Sequence, residues 1–171
     1  MEPYNIGMDE TAGPLPPRLL AITTFATAQV GRVGRAAMGR MMDEHGLGLW
    51  HFAVLAALDD SAPASQRELG ARLRIDPSDL VEVVGRLEAA GLVRRERDPS
   101  DRRRYVVEPT PEGRALLDEV SRRATDLDDR LLEPLTPADR AAFERIVRVL
   151  LTHHDPRARA APTRTGPAVP G

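Results

Sequence analysis

Six arginines (Arg94, Arg95, Arg97, Arg102, Arg103 and Arg104) stand against three acids (Glu96, Asp98 and Asp101) between Leu92 and Tyr105. Guanidinium groups at that density suit phosphate, because each carries a planar fork of donors and a charge that ordinary pH does not remove. The same run also reads as a solvated arginine-rich hairpin, since charge runs are common on surfaces. Other chemistry has less support. His45, His51, His153 and His154 come without HExxH or cysteine spacing, so no metal site is expected. No glycine-rich phosphate loop, nucleophile elbow or paired-carboxylate motif is visible, and neither catalysis nor a cofactor is expected.

The elements that must position these arginines belong to a chain of 171 residues, 42% hydrophobic, with net charge −2. That length suggests one domain with a real core. All 24 basic residues are arginine, and cysteine is absent, which excludes disulfides, thiolate metal sites and thiol redox sensing. Acids near the N-terminus and the lack of a long apolar run lead to the expectation of a soluble cytoplasmic protein with no membrane partner. Charge is unevenly spread: residues 61–107 hold 10 arginines against 8 acids, while 1–60 and 108–155 are both net acidic. A basic element between acidic flanks is the layout expected when one part meets phosphate and the rest does something else.

Proline-rich stretches without periodicity, 1–16 and 155–171, read as disordered tails. Residues 17–44 read as one long helix, loosened at Gly31 and Gly34, and 49–58 as a second, largely buried helix. Ser65 followed by Glu68 is a capping box that opens a short helix. Asp76-Pro77 supplies an N-cap and a proline at N1 for the next, in which Leu80, Val83, Val84 and Leu87 form one face and Gly91 the stop. β-Favouring stretches at 92–98 and 105–107 flank Pro99-Ser100-Asp101 and make a hairpin. Thr110-Pro111 and Thr136-Pro137 open two long helices, the last with an apolar stripe of Phe143, Ile146, Val147, Leu150 and Leu151. This order predicts a mainly α fold with a small β-hairpin wing: a winged helix-turn-helix lobe at 61–107, flanked by long helices at 17–60 and 110–154.

The stretch from Ser65 to Gly113 is more particular. With Gln66-Arg67-Glu68-Leu69-Gly70, Asp76-Pro77-Ser78, Arg86-Leu87-Glu88-Ala89-Ala90-Gly91-Leu92-Val93, Arg97-Asp98-Pro99-Ser100-Asp101-Arg102-Arg103 and Thr110-Pro111-Glu112-Gly113, it resembles the MarR (multiple antibiotic resistance regulator) family. Outside that block the likeness is architectural: the long helices at 17–60 and 110–154 resemble the family's dimerisation helices, so the resemblance covers roughly residues 17–154. The resemblance implies an obligate homodimer that binds a pseudo-palindromic DNA operator and usually represses until a small ligand releases it.

It also implies that Asp101 and Arg103 are the wing pair, the carboxylate holding a guanidinium that enters the minor groove; the plain alternative is a surface salt bridge. Arg102 and Arg104 would be tip or backbone contacts. Ser78 and Arg86 are expected to contact DNA, Val81 to touch a thymine methyl, and Arg67 and Arg72 to meet the backbone. Arg74 is a further candidate. Asp79, Val81 and Glu82 depart from the Ser/Thr and basic residues that the family often shows there. Asp79 reads either as a partner of the Asp76 cap or as an acceptor for cytosine N4. Met38, Met41, Met42, His45, Trp50, His51 and Phe52 read either as core or as a pocket for an aromatic or phenolic effector. The expected partners are therefore double-stranded DNA, a second copy of the chain and a small-molecule effector. Two other readings stand beside this one: a winged-helix protein-interaction module that has lost DNA binding, and a small helical enzyme built on a Trp50/His51 cleft.

Overall fold

The structure, a computed structural model, describes residues 13–61, 63–98, 101 and 103–160. Its elements are α1 (Pro17–Leu20), α2 (Thr23–Asp43), α3 (Leu49–Asp60), α4 (Gln66–Leu73), α5 (Pro77–Ala89), β1 (Val93–Arg97), β2 (Tyr105–Pro109), α6 (Pro111–Leu131) and α7 (Pro137–His154), with a 3-10 turn at Pro156–Ala160. The expected long first helix is two. Its break falls at Ala21-Ile22, where Ile22 is extended, and α2 then runs unbroken through Gly31 and Gly34. Ile22, β-branched and extended, precedes α2 as its N-cap, and Thr23 and Thr24 are its first helical residues. In the segment expected as a C-terminal tail, the Asp155 carboxylate accepts from the Arg157 backbone N–H (3.0 Å) and starts the 3-10 turn at Pro156–Ala160. Residues 1–12 and 161–171, the rest of the expected tails, lie outside the described residues.

Contacts divide the chain into two compact units, between Asp128 and Asp129. In the first, a single core takes Leu55 and Leu58 from α3, Leu69 from α4, Leu80, Val84 and Leu87 from α5, Val93 and Val107 from the hairpin, and Leu116 and Val120 from α6. α3, which falls in the 17–60 segment, packs its buried face on α4, α5 and β2. It forms the floor of the helix-turn-helix. A second, smaller cluster joins Ala37 and Met41 of α2 to Leu127 of α6.

Local signals set the element ends. The capping box of α4 is reciprocal: the Ser65 N–H donates to Glu68 Oε2 (2.8 Å) and the Glu68 N–H to Ser65 Oγ (3.3 Å). After α5, Gly91 takes φ +71°, which a side chain would resist. Its N–H donates to the Glu88 carbonyl and that of Leu92 to the Leu87 carbonyl, both at 2.9 Å, the pair of bonds that closes a helix end. β1 and β2 pair antiparallel from Val93 opposite Pro109 to Arg97 opposite Tyr105. A bridge between Ala64 and Val107 seats the hairpin beside the start of α4.

Thr110 ties three elements together. Its N–H donates to the Leu92 carbonyl (3.0 Å), its Oγ1 donates to the Gly91 carbonyl (2.7 Å), and the same oxygen accepts from the Gly113 N–H (3.0 Å). The end of α5, the start of β1 and the first turn of α6 are thereby fixed against one another. In the second unit, Thr136 caps α7 by accepting from the Asp139 N–H (3.2 Å), and Arg140 binds Asp129 (2.7 Å) and Glu144 (3.0 Å).

Candidate nucleic-acid interface

α4 and α5 form the helix-turn-helix, and the hairpin stands beside them. Asp76 caps α5 through Ser78, accepting from its N–H at 2.8 Å and from its hydroxyl. These bonds, the hydroxyl's first, hold the Asp76 carboxyl below its ordinary pKa. The cap partner is thus Ser78 rather than Asp79, and the Ser78 hydroxyl proton is committed to the cap. The outer face of α5 presents Ser78, Asp79, Val81 and Glu82 to solvent, with Val81 56% exposed.

Most of the arginine cluster is paired within the molecule. Arg94 bonds to Glu108 and Glu96, each at 3.0 Å, and its pKa is raised by them, Glu108 first. Arg95 reaches Glu88 (3.3 Å), and the Arg97 guanidinium lies 4.9 Å from the Tyr105 ring centroid. That stack follows from the hairpin register, which sets Arg97 opposite Tyr105. Arg104 Nη2 donates to Glu68 Oε1 (3.2 Å), so the carboxylate of the α4 capping box also holds the wing. The Ser65 hydroxyl, then its backbone N–H and finally Arg104 keep the Glu68 carboxyl below its usual range.

Arg103 differs from these. Asp101 Oδ1 accepts from the Arg103 backbone N–H at 3.0 Å and from its Nε at a longer 3.5 Å, while the side chain is 93% exposed. The expected pair is present, with the carboxylate fixing the backbone more firmly than the guanidinium. Arg102, expected at the tip, and the turn residues Pro99 and Ser100 lie outside the described residues.

Two further arginines have partners that sequence separation conceals. Arg72 Nη1 donates to the Ala57 carbonyl and Ser61 Oγ, both at 2.9 Å, and so caps the end of α3. Arg86 Nη2 donates to the Gly46 carbonyl (2.7 Å), in the turn between α2 and α3. Arg67 is exposed on α4, and Arg74 ends that helix in the left-handed region at φ +55°.

The expected effector cluster is dispersed. Met42 lies in the main core and Met41 in the smaller one with Met38 beside it; Phe52 is partly buried, and Trp50 is 50% exposed. His45 turns toward Glu119 of α6 (3.7 Å). His51 is 6% exposed, and its Nδ1 accepts from the Gly48 N–H (2.9 Å), so the remaining proton sits on Nε2, which is buried and has no partner among the described residues. Burial, with Arg86 adding to it, pushes the His51 pKa below the ordinary imidazole value, against the Gly48 carbonyl, 3.3 Å from Nδ1, and Glu82.

That shift has a measurable result. The unfolded chain takes up a proton near pH 6.5 that the folded chain refuses, so stability is full above about pH 6.5 and falls as pH drops toward the folded-state value. Urea unfolding at pH 7.5 and 5.5 is expected to show this loss. His51→Gln, which keeps an acceptor at the third helical position, should flatten it. An equal pH slope in both proteins would remove His51 as its source.

Among the described residues no group of three metal-ligating side chains is found, and no helix is long and apolar enough to cross a membrane.

The MarR family model matches residues 45–104, which run from the α2–α3 turn to the far side of the wing. The transcriptional regulator HosA of Escherichia coli O111:H- is 32% identical over 100 residues, 58% of this chain and 74% of HosA. The chain belongs to the MarR family. The HTH-type transcriptional repressor NicR of Pseudomonas putida is 35% identical over 100 residues, 58% of this chain. The match spans 63% of NicR, short of two thirds of its length. The crystal structure of the Mycobacterium tuberculosis MarR family protein Rv2887 in complex with DNA superposes with a TM-score of 0.65 at 27% identity, covering 75% of this chain and 97% of that one. The winged-helix architecture read from the order of elements is that of the family.

Proposed function

We propose that the chain is a homodimeric, sequence-specific DNA-binding transcription repressor of a pseudo-palindromic operator. One observation carries the reading: Arg103, its backbone fixed by Asp101, projects a 93% exposed guanidinium from a wing whose other described arginines are engaged. A positive fork on a short leash suits the negative potential of a narrow minor groove. α5 is the recognition helix, with Ser78 and Val81 toward bases and Arg67 toward phosphate. Arg72 and Arg104 reach the backbone only by sharing their donors with Ala57, Ser61 and Glu68. Repression is supported by NicR, a repressor, and DNA binding by the Rv2887 complex.

The dimer rests on α7. Phe143, Ile146, Val147, Leu150 and Leu151 recur at helical spacing and are each more than a third exposed, and α7 has no buried residue. A continuous apolar stripe of that kind belongs against another surface, and a second copy of the chain supplies one. Two recognition helices would then meet half-sites about 34 Å apart. A small aromatic or phenolic effector that fixes another spacing ends repression. The buried His51 Nε2–H is a donor available to such a ligand.

Titration of a labelled fragment of the protein's own promoter region across a salt series tests the reading. Affinity should fall steeply with salt, and Arg103→Ala should lower it roughly tenfold while leaving the dimer intact. Unchanged affinity in that variant removes the wing from the account. Absence of any salt-dependent binding by the unaltered protein favours the interaction-module reading, to which the carboxylates of Asp79 and Glu82 lend themselves.

A further inference from the structure

We infer that Arg86 positions the recognition helix through the Gly46 carbonyl and does not itself contact DNA. The inference rests on the DNA-binding reading above and assigns a role within it. Arg86 lies nine residues beyond Pro77, about 13 Å along the axis from the end of α5 that leads into a groove. There its Nη2 donates to Gly46 at 2.7 Å, a charge-assisted bond across 40 residues of sequence.

The acceptor is not a loose loop. Gly46 holds φ +66°, and its turn is closed by the Gly46 N–H on the Asp43 carbonyl (2.9 Å) and the Leu47 N–H on the Met42 carbonyl (3.0 Å). On the far side, Glu44 is gripped by both terminal nitrogens of Arg123, Nη1 at 2.8 Å and Nη2 at 2.9 Å. Glu119, one turn earlier on α6, lies 3.7 Å from His45 Nε2. Residues 44–47 thus form a clasp held by one arginine from α5 and another from α6. Through it, the angle of the recognition helix is referred to a long helix outside the helix-turn-helix.

Salt separates this role from a direct contact. A lost phosphate contact lowers the slope of log affinity against log salt by about 0.9, and a lost base contact relaxes specificity at one position. A lost positioning bond does neither. For Arg86→Met the expected result is about a tenfold fall in operator affinity with slope and sequence preference unchanged. Arg123→Met, on α6, should give the same pattern, and the double variant should lose less than the product of the two. A slope reduced by about one, relaxed preference at one base pair or multiplicative losses would overturn the inference. If Arg86→Met fails to fold, the Arg123→Met titration decides, and wild-type affinity there counts against it.

One readout needs no DNA. In the free protein the Gly46 carbonyl carbon resonance should shift in Arg86→Met as its hydrogen bond is lost; an unmoved resonance overturns the assignment even if the operator reading stands. If the unaltered protein binds no DNA while the resonance shifts, the operator reading fails and the clasp remains.

Discussion

Gly113→Ala is expected to destabilise the protein by about 3 kcal/mol or more, read as a lower urea midpoint. A Cβ at Gly113 would meet the Leu92 carbonyl oxygen at 2.0 Å, its carbonyl carbon at 3.0 Å and Leu55 Cδ2 at 3.3 Å. Side chains swing away from such an intrusion, but the Leu92 carbonyl cannot. It accepts the Thr110 N–H, and Leu92 itself closes the end of α5. Relief would require α6 to lift from the junction, opening the core around Leu116 and Val120. Gly85→Ala is the control: with no atom within 4 Å of its Cβ position in α5, it should stabilise by about 0.5–1 kcal/mol. Equal midpoints for wild type and Gly113→Ala would show that the α5–β1–α6 junction tolerates what its geometry forbids.

Leu150→Glu is expected to weaken self-association about a thousandfold while leaving the fold of the separated chain unaltered. Leu150 is 50% exposed and central to the stripe that includes Ile146, Val147 and Leu151. Burying one leucine contributes roughly 2 kcal/mol, and a two-fold interface uses each substituted position twice. Sedimentation equilibrium measures the association, and circular dichroism of the dissociated species checks that the helices persist. Operator affinity should fall with it, because a single lobe engages only one half-site. A dimer as tight as wild type would mean that α7 is covered by something other than a second copy.

Elements whose signals lie within a few residues were legible in the chain. Ser65 with Glu68, Asp76 before Pro77, and Thr136 before Pro137 each cap the helix they announce, because a cap is a bond between neighbours. The Asp101–Arg103 pair belongs to the same class. The partners of Arg72, Arg86, Arg104 and Arg123 were not legible: these bonds span 15, 40, 36 and 79 residues, and a run of arginines does not say which of its members the fold will employ. Of the two readings open for the methionines, core and pocket, the structure carries the core one, for a geometric reason. Met41 and Met42 are adjacent in sequence and therefore about 100° apart around α2, so they enter different cores rather than one pocket. The expected loosening at Gly31 and Gly34 does not occur within α2, and the break falls instead at Ala21-Ile22.

Glu68 divides its two oxygens between separate tasks. Oε2 accepts from Ser65 and so starts α4, and Oε1 accepts from Arg104 and so aims the hairpin. Helix initiation and wing direction are therefore not independent variables in this molecule. A redesign that re-aims the wing by changing Glu68 would also reopen the first turn of α4, whereas one that works from Arg104 leaves that turn closed. The two ends of this bond are unequal handles on the same geometry, and the arginine end is the one that can drift.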